Sequence, residues 1–352
     1  MQFGLTETQE TLKKSAREFL NAECPMTTVR GIIESAAPFD AALGSKIKAQ
    51  GWTGLLAPEE YGGHGMGMVE MAVVLEEMGR ALLPGPFFST TLLAGIILSR
   101  GGSEQQKNKY LKPIAEGDAR ATLAQFGADR RAHFVTEAAA ADFIVCAGPI
   151  DGEPCIFVTT SAPTTLTPSL DLTRRLYDVD LRSTPMDFLA RGRSAQEILD
   201  STLDIATAGL TAEMTGGMQR LLEITVAYAK TRKQFGRPIG QFQAVQHLCA
   251  DMLLMTESAR SAAYYACYAV QEQLPNASEA VSIAKSYISD AYREVGNRAI
   301  QVHGGMGFTW ENDCHLYYRR AKASEIALGD AIYHRERLAR IILDKHKHST
   351  TA

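Results

Sequence analysis

The sequence predicts a mainly α-helical protein with a central β domain. Apolar residues recur at helical spacing up to about residue 120 and again from about 193 onward. Between these regions, short apolar or alternating runs are separated by Gly, Pro, Asp and Ser, which is typical of antiparallel strands. We therefore predict a helical domain over 1–120, an antiparallel β domain over 121–192 and a helical domain over 193–352.

The first domain begins with a recognisable helix start. Thr6 and Gln9 have the spacing of a capping box ahead of LTETQETLKKSAREFL, whose apolar residues fall near one helical face. Further helices are predicted near 40–50, 68–82, 89–100 and 103–116. A glycine-rich loop, PEEYGGHGMGM, separates the second of these from the first.

The remaining elements follow from the same two periodicities. Strands are predicted in the runs ATLAQF, HFVT, DFIVCA, PCIFVTT and LYDVDL. Four long helical segments are predicted near 195–230, 241–273, 276–302 and 315–345. They are separated at FGRPIGQF, LPNAS and HGGMGFTWEND, and the terminal KHKHSTTA is predicted to be a frayed tail with solvated histidines.

Composition excludes several classes of function. A net charge of -4 gives no electrostatic basis for binding nucleic acid or an anionic membrane surface. The apolar runs are far shorter than the roughly 20 residues of a membrane span, and the polar start lacks a signal-peptide core. The six cysteines show no C-x-x-C spacing, so we expect reduced thiols in a cytoplasmic protein and no metal site.

The segment YAKTRKQFGRPIGQFQAVQHLCADM (228–252) is the first candidate for chemistry. A helix is expected to end near Gln234 and to restart at Gln241 or Gln243. The Arg232 guanidinium could hold a phosphate, and Phe235 could cover a planar ring. An isolated R-x-x-F is more often a helix hairpin with a solvated arginine and a buried phenylalanine.

The segment AIQVHGGMGFTWENDCHLYYRRAK (299–322) is the second. Gly304, Gly305 and Gly307 permit positive φ and close approach of another backbone or a cofactor. Gln301 and His303 add hydrogen-bonding groups beside them. GGMG follows no strand and matches neither a Walker A nor a Rossmann fingerprint, so this loop alone is weak evidence.

Together, in this order, the two segments and LAPEEYGGHGMG resemble the acyl-CoA dehydrogenase family of flavoproteins. The resemblance implies an N-terminal helical domain, a central β domain and a C-terminal four-helix bundle. It implies FAD as cofactor, an acyl-CoA substrate and an electron-transfer flavoprotein or similar acceptor. The family removes the α-proton of the thioester with a protein base while flavin N5 accepts the β-hydrogen as hydride.

The resemblance also assigns cofactor contacts. Arg232 and Phe235 match positions that contact the pyrophosphate and adenine side of a neighbouring subunit's FAD. Gln301, Gly304 and Gly305 match the loop that closes over the same cofactor across the dimer interface. A shared site of this kind implies an obligate oligomer, either a dimer or a tetramer.

Both family positions for the catalytic base lack an acid. In RRAKASEIALGD, Leu328 stands where most members carry glutamate. A second family solution lies about 26 residues before the R-x-x-F arginine, which is Ala206 here. Neither side chain can accept a proton.

The β domain departs from the family as well. It lacks the TEPxxGSD-like stretch, although Thr136 matches a flavin-side threonine. SLDLTRRLYDVDL resembles a divergent branch in which some members are half of an α2β2 heterotetramer, notably in bacterial breakdown of steroid side chains. In such pairs one subunit carries the base and the other mainly completes FAD binding.

Three hypotheses follow. The leading one is a base-lacking subunit that works with a base-carrying paralogue. The second is a self-sufficient dehydrogenase with an unusual base. The candidates are Asp330, Glu325, Asp200 and Asp204; each is expected to be a solvated or capping carboxylate, and Asp330 is the best single candidate. The third is a non-catalytic scaffold that binds FAD or acyl-CoA. The sequence does not specify the acyl group.

Overall fold

The structure is a computed structural model that describes the backbone of residues 4–349 and the side chains of residues 4–344. The described chain divides into two compact units. The bundle unit comprises residues 4–21, 72–83 and 207–349, and the sheet unit comprises residues 22–71 and 84–206. The predicted mainly α-helical class with a central β domain is confirmed, whereas the three-part division by residue number stays a prediction.

The described helices follow the predicted segments closely. In chain order they are α1 (Glu7–Glu23), α2 (Met26–Glu34), α3 (Ala41–Ala49), α4 (Met68–Ala81), α5 (Ile96–Gly101), α6 (Glu104–Gln106), α7 (Lys112–Ala115), α8 (Gly192–Thr231), α9 (Gln243–Gln271), α10 (Ala277–His303), α11 (Cys314–Ile326) and α12 (Ala331–Ser349). The capping box is present, because Gln9 N donates to Thr6 Oγ1 at 3.3 Å and Thr6 N to Gln9 Oε1 at 2.9 Å. Helix α2 was not predicted, and α5 continues a π-helical segment, Ser89–Gly95.

The predicted single helix over 315–345 is wrong. The chain breaks after α11 and restarts at α12, with Leu328 at φ +57° and Gly329 at φ +94°. These left-handed conformations end a helix without requiring a proline or a polar loop. Helix α12 continues through Ser349, so the predicted tail begins as helix; its side chains from 345 and residues 350–352 lie outside the described part.

Seven strands form two sheets in the sheet unit. They are β1 (Ala121–Gln125), β2 (Arg131–Thr136), β3 (Phe143–Ile150), β4 (Glu153–Thr159), β5 (Thr164–Thr167), β6 (Leu176–Asp180) and β7 (Asp187–Arg191). The sheet orders are β1-β3-β4-β7 and β2-β6-β5, and their apolar faces share one core that includes Phe126, Phe157 and Tyr177. The five predicted runs correspond to β1, β2, β3, β4 and β6; β5 and β7 were not predicted.

The prediction of a wholly antiparallel domain needs one correction. Strands β1 and β3 pair in parallel, whereas the other pairs within the two sheets are antiparallel. Strand β2, which lies between them in sequence, belongs to the second sheet, so the chain returns to the first sheet running in its original direction.

The bundle unit has α10 at its centre, in contact with α9, α11 and α12. Helices α4 and α8 approach closely at glycines: a Cβ on Gly79 would lie 1.8 Å from the Glu213 carbonyl oxygen, and one on Gly216 would lie 1.7 Å from that of Glu76. Only glycine permits this backbone contact. Over the residues described, no helix is both long and apolar enough to cross a bilayer.

Candidate active site

A short hairpin after α8 presents Phe235. Arg232 follows the last residue of the helix, and two-residue strands, Lys233–Gln234 and Arg237–Pro238, pair across Phe235 and Gly236. Both turn residues have positive φ, +51° and +80°, as a two-residue type I′ hairpin requires. The Phe235 ring is 92% exposed. A bulky residue in this conformation is strained, and strain of this kind concentrates at ligand sites.

Neighbouring contacts hold the hairpin in place. The Arg237 guanidinium lies 4.3 Å from the centre of the Phe242 ring, and the Phe235 ring meets Phe242 edge-on at 6.1 Å. Ile239 N donates to the Arg232 carbonyl at 2.8 Å, which closes the hairpin onto the end of α8. The exposed Arg232 and Phe235 side chains are therefore carried by an ordered hairpin rather than by a loose loop.

The glycine-rich loop begins where α10 ends. Gly304 has φ +60°, and its N–H donates to the Gln301 carbonyl. A Cβ on Gly307 would lie 3.1 Å from that of His303, so this glycine serves the packing of the loop on α10. A Cβ on Gly304 or Gly305 would meet nothing within 4 Å in this chain. The backbone at these two positions is therefore open to a group from outside it.

One aromatic stack joins the hairpin to the loop. Tyr228, one turn before Arg232, stacks on His303 with ring centres 4.4 Å apart and planes at 24°. His303 is buried, and burial lowers its pKa, while its Nδ1 lies 2.8 Å from the Ala299 carbonyl oxygen. The stack places the two predicted cofactor segments at the same end of the bundle unit. It thereby joins the segment that carries Arg232 and Phe235 to the segment that carries Gln301, Gly304 and Gly305.

The turn at Ala327–Asp330 follows a firmly anchored helix. In α11, the buried Arg320 guanidinium pairs with the buried Glu213 carboxylate, and Tyr317 Oη donates to the Arg80 carbonyl at 2.6 Å. Half-buried Leu328 follows at φ +57°, and its carbonyl oxygen lies 2.9 Å from Nε2 of buried His334. The backbone that presents residue 328 is therefore held in place on both sides.

A buried lysine that is not among the predicted site residues supports this turn. Lys285 in α10 is fully buried, and its Nζ lies within 2.8–3.0 Å of the carbonyl oxygens of Ser324, Glu325 and Gly329 and of Ser289 Oγ. It satisfies carbonyl groups that the end of α11 leaves without helical partners. Burial lowers the pKa of Lys285 to about 8, although Asp330 and Glu325 oppose the shift.

Comparison with known proteins assigns the chain to a family. Family models for the N-terminal and C-terminal domains of acyl-CoA dehydrogenases match residues 6–118 and 197–343. The chain belongs to the acyl-CoA dehydrogenase family. It is 34% identical over 341 residues to the acyl-CoA dehydrogenase IpdE2 of Mycolicibacterium smegmatis, which covers 96% of this chain and 98% of the relative.

Solved structures of this family share the fold over nearly the whole chain. The ChsE4–ChsE5 complex from Mycobacterium tuberculosis is 26% identical with a TM-score of 0.90, and the match covers 97% of this chain and 99% of that one. The steroid ACAD Tcur3481–Tcur3483 is 27% identical with a TM-score of 0.86, and the match covers the same fractions. Both of these similar structures are named after two proteins, and the first is a complex of the two.

The acids around residue 328 of this acyl-CoA dehydrogenase family member have structural partners. Asp330 precedes α12, and its Oδ1 accepts the Tyr333 N–H at 2.8 Å, as an N-cap does. Glu325 is ion-paired with Arg293 and lies 3.5 Å from Lys322 Nζ. The Asp330 carboxylate therefore caps α12, and the Glu325 carboxylate takes part in ion pairs at the end of α11.

The second position at which the sequence predicts a base to be missing, residue 206, lies in α8. Ala206 is fully buried there. Asp200 is exposed and accepts a hydrogen bond from Gln196 at 2.8 Å, and Asp204 is half-buried one turn later. In the sheet unit, half-buried Thr136 ends β2 and pairs with Leu176 of β6.

Proposed function

We propose that this chain takes part in FAD-dependent α,β-dehydrogenation of an acyl-CoA thioester as the base-lacking subunit of a hetero-oligomeric dehydrogenase. The turn at residues 327–330 carries the proposal. It is anchored by Lys285, Arg320 and the cap of α12, and Leu328 within it is the residue that the sequence resemblance matches to the family's acid. An anchored turn with an apolar side chain suits a subunit that retains the scaffold while another chain supplies the base.

FAD fits the exposed end of the bundle unit. The Arg232 guanidinium would bind the pyrophosphate, and Phe235 would lie against the adenine. Gln301 would donate a hydrogen bond beside the open backbone of Gly304 and Gly305. Bound FAD would supply the hydride acceptor; these residues would bind and orient it.

The partner is proposed to be a base-carrying paralogue in an α2β2 assembly. Several large apolar side chains of the bundle unit are exposed in the single chain, among them Leu254 at 67%, Ile326 at 70% and Ile332 at 71%. Exposed apolar surface of this kind favours association with another chain. An electron-transfer flavoprotein or similar protein would accept the electrons. The six cysteines form no disulfide in the described structure, which suits the reducing cytoplasm.

The test compares the chain alone with its complex. The product of an adjacent dehydrogenase-like gene would be co-purified, and each sample titrated anaerobically with a panel of acyl-CoA thioesters, including steroid side-chain thioesters. We expect flavin bleaching by the complex and little or none by the chain alone. A complex carrying Arg232→Gln should lose most of its flavin. Strong bleaching by the chain alone would contradict the proposal, and a stable complex without flavin would favour a scaffold.

Asp330→Asn tests the alternative of a self-sufficient enzyme. Asparagine caps helices as well as aspartate does, so we expect the thermal midpoint to stay within about 1–2 °C. We also expect the rate of flavin reduction to change less than about twofold, because the carboxylate caps α12 and is not the base. A loss of about 100-fold or more with FAD still bound would instead identify Asp330 as the base.

A further inference from the structure

The sheet unit contains a cavity that the proposed function leaves without a role. Its volume is about 370 Å³. It lies among the α2–α3 loop, α3, the segment Pro84–Gly85–Pro86 and the loop between β5 and β6. None of the residues proposed for FAD binding, and neither base position, lines it.

The walls of the cavity are mainly apolar. Aliphatic and aromatic side chains line it from several directions: Ile32, Phe39, Leu43, Ile47, Phe87 and Leu172. Leu172 is 37% exposed and marks the side on which the cavity meets solvent. Apolar walls with a solvent-facing edge are typical of small-molecule sites.

Charged side chains at the cavity are paired with other side chains of the same chain. Arg120 pairs bidentately with Asp142, at 2.7 and 3.0 Å, and its guanidinium lies 3.9 Å from the Phe39 ring centre. Lys48 is ion-paired with Asp118. An anionic ligand would therefore have to compete with Asp142 or Asp118 for these two cations.

Arg175 fixes one wall of the cavity. Its Nη2 donates to the carbonyl oxygens of Ile32 at 3.2 Å and Ser35 at 2.6 Å, and its Nη1 to that of Ala37. One guanidinium thus holds the end of α2 and the following loop against the β5–β6 loop. The cavity is therefore preformed, and binding would not have to order its walls.

We propose that this cavity binds an uncharged, apolar ring compound. A cavity of about 150 Å³ lined by apolar side chains accommodates benzene, so one of this size accommodates roughly two or three rings. The two aromatic rings in the wall, Phe39 and Phe87, favour a ring system over a flexible chain. The site is independent of the assignment of a base or a partner.

Two dyes of one skeleton test the ligand class. N-phenyl-1-naphthylamine is uncharged, and 8-anilino-1-naphthalenesulfonate adds a single negative charge. Equilibrium dialysis against the flavin-containing protein should show one saturable site per chain for the amine and at least about tenfold weaker binding of the sulfonate at the same site. Equal or tighter binding of the sulfonate would overturn the assignment to uncharged ligands.

A matched pair of substitutions on α3 tests whether the uncharged dye binds in this cavity. Gly44 lines the cavity, and a Cβ there would contact only Phe39, at 3.8 Å, so Gly44→Phe introduces its Cβ without a clash and is expected to place its ring in the cavity. Ala42 is exposed on the same helix and does not line it. We expect Gly44→Phe to weaken amine binding at least about tenfold and Ala42→Phe less than about twofold, with thermal midpoints near that of the parent protein. Equal binding by both variants, or no saturable binding by the parent protein, would refute the proposal.

Discussion

Leu328→Glu is expected to raise the rate of flavin reduction by acyl-CoA by at least about 100-fold in a complex whose partner has lost its own base. General bases contribute about 10²–10⁴-fold to proton abstraction. The substitution places a carboxylate at the position that the sequence resemblance matches to the family's glutamate. It requires no new backbone conformation, since Leu328 already has φ +57°. The supports of the turn, Lys285 and the Asp330 cap, stay unchanged.

Leu328→Gln is the matched control, because it has nearly the same shape as glutamate and cannot take a proton at neutral pH. Stopped-flow measurement of flavin bleaching would compare the parent complex, the Glu variant and the Gln variant at equal flavin content. A gain confined to the Glu variant would show that residue 328 faces the substrate α-carbon. Equal rates in all three, with FAD retained, would contradict the placement of the turn at the reacting centre.

Periodicity was sufficient to predict the helices and the strongest strands. Strands β5 and β7 were missed because TTLT and DFLAR lack a clear alternation and are half-buried or exposed. The parallel pairing of β1 and β3 depends on which sheet receives β2, and pairing between distant strands leaves no trace in local spacing. The predicted helical segment 315–345 did not separate α11 from α12, although Gly329 followed by Asp330 is a combination typical of a helix end and a new helix start.

The candidate site likewise contains residues that could be predicted from the sequence and one that could not. Arg232, Phe235, Gln301, Gly304 and Gly305 could be proposed from sequence because their segments match a family pattern. Lys285 could not, because AKSYISD resembles the surface of any polar helix. One signal was present: Lys285 falls on the same helical face as Val281, Ile288 and Tyr292, all of which are buried. A lysine within an apolar stripe requires oxygen partners, and here the end of α11 provides them.

Lys285→Met is expected to destabilise the bundle unit by about 3 kcal/mol. The methionine fills a similar volume, but three carbonyl oxygens lose their donor, at a cost of roughly 1–3 kcal/mol each, partly offset because a buried charge is removed. The thermal midpoint at fixed protein and FAD concentrations should fall by several degrees. Lys14→Met is the control, since Lys14 is 78% exposed and should change the midpoint little. A Lys285→Met variant as stable as the parent would show that the turn does not depend on this lysine.

The pH dependence separates the charge of Lys285 from its packing. In the unfolded chain lysine titrates near 10.4, whereas burial lowers the pKa of folded Lys285 to about 8. Between these values the unfolded state holds the proton that the folded state has lost, so the stability contribution of Lys285 rises with pH. Below about pH 8, Lys285 is mainly charged in both the folded and the unfolded state, so the free-energy cost of burying the charge is fully present.

The parent protein should therefore gain about 2 kcal/mol from Lys285 between pH 7.5 and 9.5, and the Met variant should lack this gain. Lys13, whose pKa burial also lowers to about 8, contributes a similar rise to both proteins. Only the difference between the two proteins reports on Lys285, and thermal midpoints at the two pH values measure it. If the difference in thermal midpoint between the parent protein and the Met variant is larger at pH 9.5 than at pH 7.5, Lys285 is a buried ammonium group at the lower pH. A constant difference would mean that the pKa of Lys285 is not lowered on folding, in conflict with the complete burial of this side chain.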